Sequence, residues 1–159
     1  MVALAVLLVS SVTGLLPVQI MRVGSESMAP TIATGDLVLL DRGHQGVARM
    51  DVVVVERPDT GVLLVKRAVA LGGDQVGIED GVLVVNGAPV CEPNIDPDRL
   101  DGVWFGPQTV PAGAVFLMGD DRGSSIDSRE FGPVSADDVR GRVTHRLWPS
   151  PGALPVDRC

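Results

Sequence analysis

The sequence predicts a mostly β fold, built from short strands in coiled antiparallel sheets or a partial barrel, with one transmembrane helix at the N-terminus. Three observations lead to this prediction. Short apolar runs are bounded by Asp, Gly or Pro, as buried strands are. The 19 glycines and 12 prolines among 159 residues indicate many tight turns. The first part of the chain is apolar and carries no charge.

Residues 1–21 are predicted to form a membrane anchor. The stretch Val2–Met21 has no charged residue and is just long enough for a spanning helix, which needs ~20 mostly apolar residues. A cleaved signal peptide would carry basic residues ahead of this stretch, and a buried core helix would have one polar face. Pro17 is expected to kink or end the helix. Because no Lys or Arg precedes Val2, charge leaves the orientation open.

The remaining residues, 22–159, are predicted to form one soluble domain. Its predicted strands are Leu37–Leu40, Val52–Val55, Val62–Ala70, Val82–Val85, Ala114–Met118 and Gly141–Trp148. The dipeptide Asn86-Gly87 is a strong hairpin signal. Short helical turns are predicted at 28–31 and at 135–138, where Ser135 could cap. Residues from about 91 to 110 are rich in Pro, Asp and Gly, which predicts an irregular surface excursion.

Charge and cysteine content argue against several functions. The net charge is −7 and the basic residues are scattered, which argues against a nucleic-acid-binding surface. Cys91 and Cys159 form no CxxC pair and lie apart from His44 and His145, so neither a zinc site nor another metal or cofactor is expected. A Cys91–Cys159 disulfide could form outside the cytoplasm, but unpaired cysteines are the default expectation.

Two short motifs carry groups suited to nucleophilic catalysis, which needs an activated nucleophile and a base. Ser25 and Ser27 are two residues apart, so in extended chain they point to the same side and can line one cavity; the alternative is that they solvate a turn. Lys66 lies in an apolar strand, where it either extends its ammonium to the surface or is desolvated. Desolvation would lower the pKa of Lys66 and make it a general base. Arg67 points to the opposite face.

A third motif follows the strand that ends at Met118. Residues 119–132 are dense in carboxylates, guanidiniums and glycines, and Asp–Arg pairs can hold such a loop rigid. A calcium-binding loop is the alternative reading of Asp120, Asp121 and Asp127. It fails because the alternating Asp-x-Asx-x-Asx-Gly pattern and the terminal Glu are missing.

These motifs, in this order, resemble those of bacterial type I signal peptidases, from Met21 to about Trp148. The stretch Ser25-Glu26-Ser27-Met28-Ala29-Pro30-Thr31 is similar to the family's Ser-x-Ser-Met-x-Pro-Thr box. Gly35-Asp36 resembles its Gly-Asp block, and Lys66-Arg67 with Gly73-Asp74 resembles its lysine box. Residues 119–132 are similar to its Gly-Asp-Asn-Arg…Ser-x-Asp-Ser-Arg signature.

The resemblance implies a membrane-bound serine endopeptidase that removes N-terminal signal peptides from exported preproteins after small residues. Ser27 would be the nucleophile and Lys66 its general base. The Ser25 hydroxyl and the Ser27 amide would form the oxyanion hole, and Ser125 would orient the lysine. Further implied residues are the structural ion pairs Arg67–Asp120 and Asp127–Arg129, and a substrate pocket of Met21, Val23, Ile32, Leu64 and Val65.

The implied partners are signal peptides, the lipid bilayer and a nearby secretion translocon. The implied location is the cell membrane, with a single span and the catalytic domain on the extracytoplasmic side. One alternative is a specialised maturation protease of the same superfamily. A self-cleaving repressor would need a DNA-binding domain where the apolar stretch lies. An inactive membrane-bound β-domain that assists secretion would be marked by loss of Ser27 or Lys66, and both are present.

Overall fold

The computed structural model describes residues 17–43, 45–93, 95 and 104–154. Most of the predicted anchor, His44, much of the 91–110 excursion and Cys159 lie outside these residues. Within the described part of the chain, no helix has the length and apolar character needed to cross a bilayer.

The regular structure of the described residues is almost entirely β-strand, arranged in two antiparallel sheets. The strands are β1 (Val18–Arg22), β2 (Leu37–Asp41), β3 (Val52–Glu56), β4 (Leu63–Leu71), β5 (Gln75–Glu79), β6 (Val82–Val85), β7 (Ala88–Pro89), β8 (Phe105–Thr109), β9 (Ala114–Met118), β10 (Val134–Ser135), β11 (Val139–Trp148) and β12 (Gly152–Ala153). The larger sheet has the order β1-β2-β11-β3-β4-β9-β10, with β12 paired to β11, and the smaller has the order β7-β6-β5-β8. The prediction of a mostly β fold with coiled antiparallel sheets is confirmed.

Local sequence signals placed many elements correctly. All the predicted strands are present, and Val82–Val85 and Ala114–Met118 have the predicted bounds. Asn86 and Gly87 both have positive φ, 54° and 77°, as the hairpin turn between β6 and β7 requires. Ser135 caps a 3-10 turn at Ala136–Asp138, and its hydroxyl accepts a hydrogen bond from the Asp137 amide at 3.2 Å. A short helix, α1 (Ser128–Phe131), was not predicted.

Two segments differ from the prediction. Residues 18–21 fall within the predicted anchor, yet they belong to β1, which pairs with β2 from Val18–Asp41 to Arg22–Leu37. Their side chains alternate between exposed and half-buried, a strand period that the uniformly uncharged sequence hides. Phe105–Thr109 falls within the predicted irregular excursion, yet it forms β8. Because β8 is the edge of the smaller sheet, Pro107 is tolerated there.

The default expectation for the cysteines is wrong for Cys91, which is disulfide-bonded. Cys91 comes shortly after β7, at the edge of the smaller sheet. The chain has one other cysteine, Cys159, which lies outside the described residues. A disulfide restrains the chain by limiting the unfolded ensemble, and it persists in oxidising compartments.

The core is shared between the two sheets. One cluster of buried side chains lies on β2, β3 and β11, and includes Val23, Met28 and Ile32 from the segment after β1. A second cluster joins the smaller sheet to β4 and β9 through residues such as Phe116. A third lies between β3, β4, β9 and β10. Strands β4 and β9 contribute to the last two clusters, which explains why β9 is a continuous apolar run.

Candidate active site

A cleft of about 440 Å³ lies where the larger sheet curls. Its walls include the C-terminal end of β1 and the N-terminal half of β4. These two strands are separated in the sheet by β2, β11 and β3, so curling must bring them face to face. The residues that line it are Met21, Arg22, Val23, Gly24, Ser25, Ser27, Val54, Val62, Leu63, Leu64, Val65, Lys66, Ser124 and Ile126. The cleft therefore combines apolar walls with polar residues of the predicted motifs, which are Ser25, Ser27, Lys66 and Ser124.

Ser25 and Ser27 follow β1 and both reach this cleft. Their Oγ atoms lie 3.3 Å apart, so the two hydroxyls do point to the same side. The Ser27 carbonyl accepts a hydrogen bond from the Asp121 amide at 3.1 Å. The chain then makes one turn, in which the Ile32 amide donates to the Met28 carbonyl at 2.9 Å. Ser27 is thereby tied to the 119–132 loop on one side and to the core on the other.

The turn after Ser27 is held from a second direction. Asp36 accepts a hydrogen bond from the Ala33 amide at 3.0 Å, which closes the turn before β2. Arg146, on β11, donates to the Thr31 carbonyl at 3.2 Å and lies 3.8 Å from the Asp36 carboxylate. The Gly-Asp block that follows the serines therefore acts here as a brace for the segment that carries them.

Lys66 is buried, with 2% of its surface exposed, so the alternative in which its ammonium reaches solvent is wrong. Its Nζ donates to the Ser125 Oγ at 3.0 Å. Burial is the main cause that lowers the pKa of Lys66 to about 8; Arg129 lowers it further, while Asp127 and Asp120 oppose the change. Lys66 is also the only lysine in the chain. A fraction of this amine is therefore unprotonated near neutral pH and able to accept a proton.

Arg67, the next residue on β4, has a different environment. Its Nε and Nη2 donate to the two carboxylate oxygens of Asp120 at 2.8 and 2.7 Å, and its Nη1 donates to the Met50 carbonyl at 3.0 Å. Both side chains of this pair are at most 1% exposed. A two-pronged Arg–carboxylate pair of this kind fixes orientation as well as charge.

Ion pairs also hold the 119–132 loop. Asp127 accepts a hydrogen bond from the Gly119 amide at 3.0 Å, and Arg129 donates to it through Nε and Nη2, both at 2.9 Å. Burial opposes ionisation of Asp127, but these bonds outweigh burial and hold its pKa below the usual range. The Asp127 carboxylate is therefore already charged and engaged at neutral pH.

Gly119 fills a position where no larger residue fits. A Cβ atom there would lie 2.2 Å from the Ser125 Oγ and 2.4 Å from the Ser27 carbonyl oxygen. The loop therefore packs its backbone directly between the two serine-bearing segments. The sequence motif contains this glycine, but only the fold shows why the position needs one.

Four of the five predicted pocket residues, Met21, Val23, Leu64 and Val65, line the cleft. The prediction is wrong for Ile32, which is fully buried in the core beneath the turn after Ser27. The apolar cleft residues that the sequence reasoning missed are Val54, Val62, Leu63 and Ile126. Three of these, Val62, Leu63 and Ile126, are more than half exposed, and apolar side chains in water are a signal for a binding surface.

Residues 1–148 match the family described as signal peptidase, peptidase S26. The chain is 34% identical over 145 residues to signal peptidase I of Bacillus caldolyticus, an alignment that covers 80% of this chain and 78% of that protein. It is 29% identical over 166 residues to signal peptidase I of Streptococcus pneumoniae serotype 4, covering 80% of this chain and 81% of that protein.

The fold supports the same relationship. A solved structure of a signal peptidase I from Enterococcus faecalis matches with a TM-score of 0.56 and 30% sequence identity. The match covers 63% of this chain and 98% of that one. From its motifs, its curled sheet and these relatives, we conclude that the chain is a peptidase and belongs to the signal peptidase family, peptidase S26.

Proposed function

We propose that this peptidase removes N-terminal signal peptides from exported preproteins, with Ser27 as nucleophile and Lys66 as general base. One observation carries the proposal: Lys66 is buried, has a pKa of about 8 and lies in the same cleft as Ser27. A buried amine with a pKa near the working pH can accept a serine proton. A lysine with its ordinary pKa stays protonated at that pH and cannot.

The reaction follows from these groups. Neutral Lys66 takes the proton from the Ser27 hydroxyl while the Ser27 Oγ attacks the carbonyl carbon of the scissile peptide bond. The resulting oxyanion accepts hydrogen bonds from the Ser27 amide and the Ser25 hydroxyl, where one such donor contributes ~3 kcal/mol to lowering the barrier. The Lys66 ammonium then protonates the leaving amine, which leaves an ester on Ser27. Water, deprotonated by the same amine, hydrolyses the ester and restores both groups.

Ser125 and the two ion pairs would keep this geometry in place. The Ser125 hydroxyl holds the Lys66 amine at 3.0 Å, which restricts where the amine points. Arg67–Asp120 and Asp127–Arg129 would brace the segments behind the amine. None of these groups exchanges a proton with the substrate.

The cleft fits an extended peptide with small side chains. Its wall residues, Met21, Val23, Leu64 and Val65, lie on β1 and β4 or directly beside them. An extended segment can add to a strand edge, where backbone bonds give affinity and shallow pockets select side chains. We therefore propose cleavage after Ala-x-Ala-type sequences.

The enzyme would act at the membrane. We propose that the residues ahead of β1 hold the anchor, since residues 18–21 are part of the sheet. The domain from β1 onward would then face the extracytoplasmic side, near the lipid bilayer and the secretion translocon. A disulfide at Cys91 fits an oxidising compartment.

The test uses the full-length chain, solubilised in detergent, and a preprotein with an Ala-x-Ala cleavage site. Ser27→Ala and Lys66→Ala should each lower the cleavage rate at least about 10³-fold. Ser150→Ala serves as the control, because Ser150 is exposed and follows β11, away from the cleft. Near-normal cleavage by either dyad variant would refute the assignment. A panel of preproteins separates a general signal peptidase from a specialised maturation protease, which would cut only one.

A further inference from the structure

A buried ion pair joins the smaller sheet to the 119–132 loop. Glu92 comes shortly after β7, and its carboxylate accepts hydrogen bonds from both Nη atoms of Arg122, the Nη1 bond measuring 2.9 Å. The Arg122 side chain is 4% exposed and the Glu92 side chain 9%. These residues are 30 positions apart, so the contact is made by the fold and not by a local turn.

The same Arg122 side chain also holds Gly119. Its Nε donates to the Gly119 carbonyl at 3.0 Å, while the Gly119 amide donates to Asp127 at 3.0 Å. Arg129, which pairs with Asp127, also donates to the Arg122 carbonyl at 2.7 Å. The two peptide groups that flank the Gly119 Cα are therefore each fixed by a charged side chain, and one of these depends on Glu92.

Gly119 in turn contacts both serine segments. The space beside its Cα is closed by the Ser125 hydroxyl and the Ser27 carbonyl. A displacement of Gly119 towards either of these groups must therefore move that group. Ser125 is the residue that holds the Lys66 amine, so a shift would change the position of the base.

We propose that Glu92 is a positioning residue for this peptidase: by holding Arg122 against Gly119, it keeps Ser125 and the Lys66 amine in register with Ser27. The inference rests on the proposed Ser27/Lys66 mechanism. Cys91, the residue before Glu92, is disulfide-bonded, which restrains the chain on that side. The smaller sheet thereby contributes to catalysis without lining the cleft.

The test compares Glu92→Gln with Glu56→Gln in the full-length enzyme. Glu56 pairs with Arg140 between β3 and β11, so the second variant makes the same chemical change away from the loop. Glu92→Gln should lower kcat at least about tenfold with little change in KM, since small misplacements of catalytic groups lower the rate steeply. Glu56→Gln should keep the wild-type kcat. Wild-type kcat in Glu92→Gln would overturn the proposal.

A double variant separates positioning from general stability. Glu92→Met with Arg122→Met removes both charges, and replacing a buried ion pair with apolar groups is often neutral or stabilising. The melting temperature should therefore return towards the wild-type value, while kcat stays low because the Gly119 carbonyl has lost its guanidinium donor. Recovery of kcat together with the melting temperature would overturn the proposal.

Two further comparisons complete the design. If Glu92→Gln does not accumulate as folded protein, Glu92→Asp replaces it, because it keeps the charge and only shortens the reach to Arg122, with the same two outcomes. Wild type and Ser27→Ala are assayed in parallel. Full activity in Ser27→Ala would refute the dyad itself, whereas an inactive Ser27→Ala beside an unaffected Glu92→Gln would refute only the role of Glu92.

Discussion

Lys66 and Arg67 are neighbours on β4 and are almost equally buried, yet the protein treats their charges in opposite ways. Arg67 donates through Nε and Nη2 to the two carboxylate oxygens of Asp120. Lys66 has a neutral hydroxyl, Ser125. Burial disfavours the charged form of any such group unless a partner of opposite charge compensates. The comparison shows how one strand holds a paired cation beside an amine of lowered pKa, which we propose as the general base.

The carboxylates near Lys66 are already engaged by arginines. Asp120 is occupied by Arg67, and Asp127 by Arg129. Both carboxylates raise the pKa of Lys66, but burial lowers it by more. The ion pairs therefore stabilise the loop. They also limit how far the two carboxylates raise the pKa of Lys66.

The largest effect is expected when Lys66 is replaced by Met, which keeps the length and apolar character of the stem. Cleavage should fall by about 10³-fold or more, because the serine has lost its base. Stability should change in the opposite direction. The pKa of Lys66 in the folded chain, about 8, lies below the ordinary value of 10.5, so below pH 8 the fold bears a cost for the buried ammonium.

Urea unfolding across pH measures that cost. Lys66→Met should be more stable than wild type by up to about 3 kcal/mol below pH 8, and the difference should shrink as the pH rises towards 10.5. The Lys66→Met variant therefore separates activity from stability. A variant that loses activity and is also less stable at every pH would contradict the claim that the ammonium is uncompensated.

The next largest effect is expected for Arg67→Met, on the other face of β4. Removing one partner of a buried ion pair leaves an unpaired charge, which costs about 3–5 kcal/mol of unfolding free energy. Urea titration measures this loss. Arg140→Met is the matched control: its partner is Glu56, both side chains are more than 40% exposed, and the expected loss is below about 1 kcal/mol. Equal losses in the two variants would contradict the structural role of Arg67.

Gly119→Ala tests the close packing of the 119–132 loop against Ser27 and Ser125. The added methyl group must displace Ser125 or the Ser27 carbonyl, and we expect kcat to fall about 100-fold. Gly152→Ala is the control, since a Cβ there meets no atom within 4 Å. Steady-state kinetics with one preprotein decide the matter. A wild-type kcat in Gly119→Ala would mean that the loop can move without disturbing the serines.

Elements with strong local signals could be predicted from the sequence. The apolar run Ala114–Met118 and the Asn86-Gly87 turn each carry their structure within a few residues, and both have the predicted bounds. The strand β1 was hidden because its apolar residues continue the uncharged stretch before it. No local sequence pattern marks where β1 begins, and only its pairing with β2 identifies it as a strand.

In the candidate site too, some features follow from local motifs and others depend on long-range contacts. The motifs that contain Ser27, Lys66 and Ser125 are readable in the sequence, but the contact between Lys66 and Ser125 joins residues 59 positions apart. The resemblance implied that Ile32 lines the pocket, but the turn after the serine box directs this side chain into the core. Glu92 lies in a stretch with no regular pattern. Its contact with Arg122 depends on how the smaller sheet packs against the loop.

The smallest effect expected is the change of kcat over one pH unit, and it tests the Lys66 environment without any mutation. Because the ammonium cannot accept the Ser27 proton, kcat should fall about tenfold for each pH unit below 8 and level off above it. Asp127, with its lowered pKa, stays charged throughout this range and adds no second step. The chain has a single lysine, so selective isotope labelling of lysine gives one side-chain NMR signal to titrate beside the kinetics. The two midpoints should coincide near pH 8. A lysine signal that titrates near 10.5 would show that the amine is solvated or paired, and the contrast between Lys66 and Arg67 would not hold.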